Sequence, residues 1–186
     1  MALLVGLDVG TSSAKAVVFT DQGVVVGEGR ARTPWITTSY GVELAAEELL
    51  NAAIEALRSA LVAAAGTTDV AAVGITSMGE SGVLVDRDGM PVAPVIAWHD
   101  SRDREEVEAL RGDITADTFA ATTGKPLRGQ WAITKHRWLL RHIPSASSAV
   151  RRFNVAEWVV RGLGGDEVTE LALACRTGWF DLSRRD

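Results

Sequence analysis

A short turn near the start of the chain combines the residue types that phosphate chemistry uses. Asp8 ends an apolar strand, and the turn that follows, Gly10-Thr11-Ser12-Ser13, joins a glycine to three hydroxyl residues. Gly10 has no side chain, so the backbone there can come close to a ligand. The hydroxyls and backbone N–H groups of the turn can form a concave anion site. An acid beside bound phosphate needs a cation between them, so Asp8 is a candidate Mg²⁺ ligand.

The same turn has a purely structural interpretation. Small and hydroxyl residues are common in tight turns, where an aspartate bonds to nearby backbone groups. No helix follows soon enough to make a Rossmann or Walker phosphate site. Lys15, on the next strand, could add positive charge beside a phosphate. The residues of the turn alone leave both interpretations open.

Composition and charge argue against several functional classes. The chain has 186 residues, 47% of them hydrophobic and 23% charged, as expected for a globular domain. A net charge of −5 gives no sign of the basic surface of a nucleic-acid-binding protein. No signal peptide or membrane-spanning stretch is predicted. The single cysteine, Cys175, rules out an internal disulfide. We therefore predict a cytoplasmic protein with no nucleic-acid or membrane partner.

The order of predicted elements indicates a mixed α/β sheet. The N-terminal half predicts a meander of three strands at Val5–Val9, Ala16–Thr20 and Val24–Arg30, then a helix at Glu43–Ala65 and a buried strand at Val70–Ser77. The rest predicts a hairpin of Val83–Asp86 with Val92–Trp98, helices at Arg102–Leu110, Ala116–Ala121, Ala132–His142 and Asn154–Arg161, and a final strand at Arg176–Leu182. The helix at Glu43–Ala65 is expected to bury Leu50, Ala53, Ile54, Leu57 and Leu61. Three strands, a helix, a strand, a hairpin and then mostly helices describe a mixed sheet combined with helices.

Three segments resemble one protein family. The stretch GLDVGTSSAKAVVFTDQG resembles the first phosphate motif of the sugar-kinase, actin and heat-shock ATPase superfamily. The stretches Val73–Arg102 (VGITSMGESGVLVDRDGMPVAPVIAWHDSR) and Leu171–Leu182 (LALACRTGWFDL) resemble the FGGY carbohydrate kinases more narrowly. The block Trp98–Arg102 is the most specific part. The likeness runs along essentially the whole chain, in the order of the family.

The resemblance implies a fold and an activity. The fold would be an α/β, ribonuclease-H-like (actin-like ATPase) lobe with a mixed sheet flanked by helices. The activity would be ATP-dependent phosphorylation of a sugar or polyol hydroxyl. Residues 1–186 would form an incomplete FGGY N-terminal kinase lobe, with the C-terminal, nucleotide-binding lobe absent. In the family, the aspartate that acts as general base comes later in the chain. We therefore assign no catalytic residue within these 186 residues and expect the fragment to be inactive alone.

The resemblance also assigns the cofactor residues. Mg²⁺ and ATP are the implied cofactors, with Asp8 matching the metal and phosphate residue of the motif. The residues predicted to serve the phosphates are Gly10, Thr11, Ser12, Ser13 and Lys15.

The predicted sugar site begins at the end of the strand before Glu80. A carboxylate there can accept hydrogen bonds from two neighbouring hydroxyls, and the glycerol-kinase branch has a substrate-binding glutamate at the matching position. Met78 and Gly79 would shape the pocket wall. That branch carries an arginine where Gly79 stands, and a Met-His pair that is frequent in xylulokinases is also absent. The alternative for Glu80 is a solvated carboxylate in a turn.

Four more residues are candidates around the next strand end and a later helix. The indole of Trp98 can cover a sugar face, or it can pack in the core. Asp100 could bind a sugar hydroxyl with Arg102 holding it, or it could cap the helix beginning near Arg102. Gln130 lies near a substrate position of the family, or it is a polar residue at a helix start. In that helix, Lys135, His136, Arg137 and Arg141 are expected to form a solvated face.

Three functions are therefore compatible with the sequence. The first is a carbohydrate kinase, with xylulose the favoured substrate through general similarity. The second is a catalytically inactive sugar-binding or regulatory module of the same fold. The third is a superfamily ATPase that forms filaments, against which the Glu80 and Trp98–Arg102 segments argue. The predicted partners are a small sugar or polyol and ATP, and the sequence leaves a homodimer open.

Overall fold

A computed structural model describes residues 2–65 and 69–185. The strands are β1 Leu3–Val9, β2 Ser13–Thr20, β3 Val25–Arg32, β4 Ile36–Thr37, β5 Val42–Leu44, β6 Val70–Ser77, β7 Gly82–Val85, β8 Val95–Ile96 and β9 Arg151–Asn154. The α-helices are α1 Ala46–Ala63, α2 Arg104–Asp113, α3 Ala116–Thr123, α4 Ala132–His142, α5 Val155–Gly162 and α6 Leu171–Cys175. A 3-10 helix covers Pro144–Ser148. Among these described residues, no helix is both long and apolar enough to cross a bilayer.

The chain divides into two compact units. The first unit consists of Met1–Trp35, Ala45–Met78 and Val155–Glu167. The second unit consists of Ile36–Leu44, Gly79–Asn154 and Val168–Asp186.

The first unit is built on a four-stranded mixed sheet in the order β3-β2-β1-β6. Strands β1, β2 and β3 form the predicted antiparallel meander, and β6 runs parallel to β1. Tight turns join the meander strands, so their pairing is local and readable from sequence. The prediction of a mixed sheet with helices is confirmed.

Helix α1 lies closely against the sheet through small residues. Its fully buried positions are mostly alanines, among them Ala53, Ala56 and Ala60. Two glycines of β3 permit this approach: a Cβ on Gly27 would strike the backbone of Ala60, and one on Gly29 the backbone of Ala56. The predicted face was therefore only partly right, because Leu50, Ile54, Leu57 and Leu61 are half-buried. The helix also begins later than predicted, since Glu43 belongs to β5.

Strand β6 is correctly placed but is not buried as predicted. It lies at the edge of its sheet, and five of its eight residues are exposed, including Val73 at 44%. Helix α5 packs against β6, and the backbone N–H of Ala156 donates to Ser77 Oγ at 3.0 Å. An unbroken apolar run predicts a strand but cannot report which neighbours cover it.

The second unit combines two small sheets with helices. Strands β4, β5 and β8 form one antiparallel sheet, and β7 pairs with β9 in the other. One apolar cluster contains Leu84 and Ile96 of the sheets with Trp138 and Leu139 of α4. A second joins Leu110, Phe119, Leu127 and Trp131. Helix α4 spans the predicted residues.

One predicted element of this unit is only partly right, and another is wrong. The hairpin turn at Arg87-Asp88-Gly89 forms, with an isolated bridge between Val85 and Pro91. Beyond that bridge, β7 pairs with β9, and β8 pairs with β5. Both partners lie far away in sequence, so the local pattern did not reveal these pairings. The second error is the final strand: Leu171–Cys175 is a helix, and turns follow it where a strand was expected over Arg176–Leu182.

Candidate functional site

The predicted phosphate turn is a tight connection between β1 and β2. Asp8 pairs with Lys15 and Val9 with Ala14, and the N–H of Gly10 donates to the carbonyl of Ser13 at 3.1 Å. Asp8 and Lys15 are exposed and share one face, because residues opposite each other in a ladder point the same way. The turn thus presents the carboxylate of Asp8 and the ammonium group of Lys15 side by side.

The back of the turn is held by residues that the sequence analysis did not single out. Thr33 Oγ1 donates to the carbonyl of Gly10 at 2.9 Å, and the Thr33 N–H donates to the carbonyl of Ser12 at 3.2 Å. The indole N–H of Trp35 donates to the carbonyl of Thr11 at 2.7 Å. Three carbonyls of the turn are therefore occupied by the protein. Such bonds remove acceptor groups that would repel a bound anion.

Ser13 and Gly10 shape the turn. Ser13 is buried, and its hydroxyl accepts a hydrogen bond from Arg30 Nε at 3.0 Å. A Cβ on Gly10 would lie 3.2 Å from the carbonyl oxygen of Ser13 and 3.7 Å from Asp8 Oδ2. Glycine at this position keeps the space beside the Asp8 carboxylate clear. Ser12, at the tip, is exposed.

Met78 closes the first unit. Its backbone N–H donates to the carbonyl of Val9 at 2.9 Å, which extends the β1–β6 ladder by one step. The structure leaves its side chain half-buried.

Glu80 occupies a strained and buried position in the second unit. Its φ is +58°, in the left-handed region that non-glycine residues rarely adopt, and its side chain is 2% exposed. The carbonyl of Glu80 accepts from Arg152 Nη2 at 2.8 Å, and the N–H of Ser81 donates to the carbonyl of Gly79 at 2.7 Å. Such strain costs about 1–3 kcal/mol and is concentrated at functional sites. A solvated turn carboxylate, the alternative for Glu80, does not fit this burial.

The carboxylate of Glu80 is hydrogen-bonded on one side. Its Oε1 accepts from Gln130 Nε2 at 3.2 Å, from Arg176 Nε at 2.8 Å and from Arg176 Nη2 at 2.5 Å. Among the described residues, Oε2 accepts no hydrogen bond. The structure therefore brings the predicted pair Glu80 and Gln130 together, and adds Arg176, which the sequence analysis did not assign to the site.

A cleft of about 550 Å³ opens beside Trp98 and Gln130. The half-buried indole of Trp98 lines it, as does the backbone at Gly129. Three arginines also lie along its wall: Arg104, Arg111 and Arg128. The cleft is large enough for a small sugar, and it offers an aromatic face, an amide and charged groups of both signs, since Asp103 and Glu108 line it as well. Trp98, Asp100 and Gln130 thus share one cavity, whereas Glu80 lines a second, much smaller cavity with Lys135, His136 and Arg152.

Asp100 is engaged by the protein on both oxygens. Oδ1 accepts from the N–H and Nε of Arg102 at 2.8 and 3.1 Å, and Oδ2 accepts from the N–H of Val42 at 2.5 Å. Arg102 Nη1 in turn donates to Glu43. A Cβ on Gly41 would strike Asp100 Oδ2, and Gly41 has a φ of +137°. These contacts fix β5 to the loop after β8. Asp100 does not cap the next helix, because α2 begins at Arg104 with Asp103 at its N-cap.

Hydrogen bonding lowers the pKa of the Asp100 carboxyl group. Burial raises the pKa of Asp100, but the hydrogen bonds from Arg102 and Val42 outweigh burial and hold the pKa below its ordinary value. A carboxyl whose pKa is lower in the folded state stabilises the protein above its unfolded pKa of about 3.9. That contribution is lost as the pH falls through the folded pKa.

Replacing Asp100 with asparagine is expected to lower the free energy of unfolding by about 3 kcal/mol at pH 7, since it leaves the buried Arg102 with one anionic partner fewer. Urea denaturation followed by circular dichroism measures the difference. The gap to the wild type should be constant above about pH 5 and should shrink at lower pH. Asp88→Asn, at an exposed turn position, is the control. A gap that does not respond to acid would contradict this role.

The predicted solvated face of α4 is wrong for Lys135. Its side chain is 4% exposed, and Nζ contacts Asp103 Oδ2 at 3.3 Å and the carbonyl of Gly129 at 2.8 Å. Burial lowers the pKa of Lys135, and Asp103 opposes that shift. Arg141 pairs with the buried Glu106 at 3.1 Å. Lys135 thereby anchors the loop that carries Gln130, a role that no pattern in the sequence revealed.

Comparison with known proteins places the chain in a family. Its sequence matches the profile of the FGGY family of carbohydrate kinases, N-terminal domain, over residues 3–186. A glycerol kinase from Janthinobacterium sp. (strain Marseille) is 34% identical, with 96% of this chain and 38% of that protein covered. A gluconokinase from Bacillus subtilis (strain 168) is 23% identical, with 98% and 36% covered.

Solved structures agree. The crystal structure of xylulose kinase from Rhodospirillum rubrum superposes with a TM-score of 0.90 at 26% identity, covering 98% of this chain and 38% of that one. The predicted α/β, actin-like ATPase fold is confirmed. The chain spans about two-fifths of the length of these relatives. The match over residues 3–186, with the fold and the residues described above, shows that the chain belongs to the FGGY family of carbohydrate kinases, as its N-terminal domain.

Proposed function

We propose that this chain is the N-terminal portion of a kinase that transfers the γ-phosphoryl group of ATP to a hydroxyl of a sugar or polyol. The observation that carries the proposal is the environment of Glu80. Its carboxylate is buried, its backbone is strained, and one of its oxygens accepts a hydrogen bond from Gln130. Backbone strain costs free energy, and residues that keep it are found mainly at sites where it positions a functional group. The relatives named as glycerol kinase, gluconokinase and xylulose kinase support a polyhydroxylated substrate.

The phosphate side of the reaction falls to the β1–β2 turn. Mg²⁺ would neutralise charge on the transferred phosphate. The turn fits this role because Asp8 is exposed, glycine keeps the space beside it open, and the carbonyls behind it are already occupied. Asp8 would hold the metal, while the backbone and hydroxyls of Gly10, Thr11 and Ser12 would orient the phosphate. The buried Ser13 supports the turn, and Lys15 adds a positive charge.

The sugar side falls to the second unit. Glu80 Oε2 would accept a hydrogen bond from a substrate hydroxyl, and Trp98 would cover an apolar sugar face in the cleft that it shares with Gln130. Asp100 and Arg102 would hold the wall of that cleft. Met78 and Gly79 follow β6 and would shape the wall of the sugar pocket. Xylulose is the first candidate substrate, and glycerol and gluconate are the next.

The general base and the adenosine pocket are proposed to lie in a second, nucleotide-binding lobe. The relatives are more than twice as long as this chain, which leaves room for such a lobe. On this proposal the 186-residue chain binds sugar but does not turn over ATP. The whole kinase would act in the cytoplasm.

ADP release from Mg-ATP tests the proposal. The 186-residue chain and the full-length gene product are each assayed with xylulose, ribulose, glycerol and gluconate. We expect sugar-dependent ADP release from the full-length protein only. Turnover by the 186-residue chain would place the base within it. Sugar binding without turnover in the full-length protein would favour the inactive sugar-binding module instead.

A further inference from the structure

Arg176 shares the site with Glu80 from a distant part of the chain. It lies directly after α6, 96 residues along the chain from Glu80, and both Nε and Nη2 contact Glu80 Oε1. This two-nitrogen contact fixes the plane of the guanidinium, which a single contact would not do. Its central carbon also lies 5.7 Å from the centre of the Trp131 ring. The position of the guanidinium is therefore defined on two sides.

The two partners differ in what they present to solvent. The side chain of Arg176 is 42% exposed, whereas that of Glu80 is 2% exposed. An arginine has five N–H donors, and the described residues account for those that point at Glu80. The remaining donors are available to a ligand. The exposed surface of the pair is thus mainly a hydrogen-bond donor whose orientation is set by the acid beneath it.

Gly79 shows that Arg176 occupies a prepared space. A Cβ at residue 79 would lie 3.2 Å from Arg176 Nε and 3.3 Å from its Cγ. Those distances are tighter than ordinary van der Waals contact, so a side chain at residue 79 would compete with Arg176 for one volume. The φ of Gly79 is not in the left-handed region, so the backbone does not require glycine there. The absence of a side chain at residue 79 and the presence of Arg176 are therefore two aspects of one arrangement.

We propose that Arg176 is a specificity-determining residue of the sugar site, which donates a hydrogen bond to a substrate oxygen next to the hydroxyl bound by Glu80. This inference rests on the proposed function and adds the donor half of the recognition. Acceptor and donor side by side fit two adjacent oxygens of a polyol, a ketose or an aldonate. The carboxylate holds the guanidinium in place, so the two residues act as one unit.

The test uses the full-length gene product and whichever of xylulose, glycerol or gluconate it phosphorylates. We expect Arg176→Gln to raise KM for the sugar about 30-fold or more, and to leave KM for ATP unchanged. Arg176→Lys keeps the charge but loses the two-nitrogen contact, so we expect a smaller rise of about tenfold. Lys125→Gln is the matched control, because Lys125 also lies over the Trp131 ring, at 5.7 Å, without contacting Glu80.

Two further variants separate a direct role from a loss of folding. In a protein that already carries Glu80→Gln, adding Arg176→Gln should raise KM for the sugar by less than threefold, since the effects of residues that act as a unit are not additive. A second guanidinium can be placed at the same site by adding Gly79→Arg to an Arg176→Ser protein. This double variant should have a KM for the sugar at least tenfold lower than that of Arg176→Ser alone. Thermal denaturation checks that each variant is folded.

The outcomes distinguish this inference from the proposed function. If the wild type phosphorylates a sugar and Glu80→Gln raises its KM but Arg176→Gln does not, Arg176 is not a specificity residue and the kinase proposal stands. If Arg176→Gln and Lys125→Gln have equal effects, the role is packing on Trp131 and the inference is overturned. If no sugar of the panel is bound or phosphorylated by the wild type, the proposed function and this inference both fail.

Discussion

Replacing Asp8 with alanine is expected to lower kcat of the full-length gene product about 1,000-fold. The reason is that phosphoryl transfer depends on positioning and charge neutralisation, and Asp8 is the exposed carboxylate at the turn proposed to hold the metal. KM for the sugar should change less than twofold, because the proposed sugar site is formed by other residues, Glu80 and Gln130 among them. Coupled measurement of ADP release at saturating Mg-ATP gives both constants.

The control for Asp8 is Asp21→Ala. Asp21 is also an exposed aspartate in the β1–β3 meander, but it lies in the other hairpin, between β2 and β3. It should leave kcat within twofold of the wild type. Full activity of Asp8→Ala would remove the turn from the phosphate site, whereas equal losses in the two variants would indicate a general effect on the sheet.

Replacing Glu80 with glutamine is expected to lower kcat/KM for the sugar about 100-fold, which corresponds to roughly 3 kcal/mol. The amide keeps the size of the side chain. It removes the charge that holds Arg176 and replaces one acceptor with a donor facing other donors. Steady-state kinetics at varied sugar concentration should show the loss mainly in KM.

Glu55→Gln is the control for Glu80, because Glu55 is exposed on α1. A KM for Glu80→Gln within twofold of the wild type would show that the buried carboxylate does not bind substrate. Loss of the folded circular dichroism spectrum would instead assign Glu80 to stability, and the Arg176 variants would then decide whether the site recognises sugar.

Local pattern predicted the parts of the fold that depend on neighbours in sequence. The meander was correct because each of its strands follows the last through a short turn. Helix α4 was correct in both bounds, since its apolar spacing is regular. The prediction of the buried face of α1 was only partly right. Gly27 and Gly29, on another element, let the helix backbone come close to the sheet, so mostly alanines, rather than the predicted leucines, occupy the buried positions.

The site followed the same division. Asp8 and Trp98 were named because each stands near the end of a strand, and the resemblance to the family pointed to Glu80 and Gln130. Lys135 and Arg176 were missed because their roles depend on distant partners: Lys135 contacts Asp103, 32 residues away, and Arg176 contacts Glu80. No pattern within a window of the sequence contains such pairs.

The exposed edge of β6 has a practical consequence for solubility. The strand Val70–Ser77 contains no charge and no proline, the residues that usually prevent strand edges from adding to other molecules. In a solution of the isolated chain, such an edge can pair with a strand of another molecule when the concentration is high. Purification therefore favours dilute solutions, and a lysine at an exposed position of this strand, such as Ala72, is a rational way to keep the isolated chain in solution.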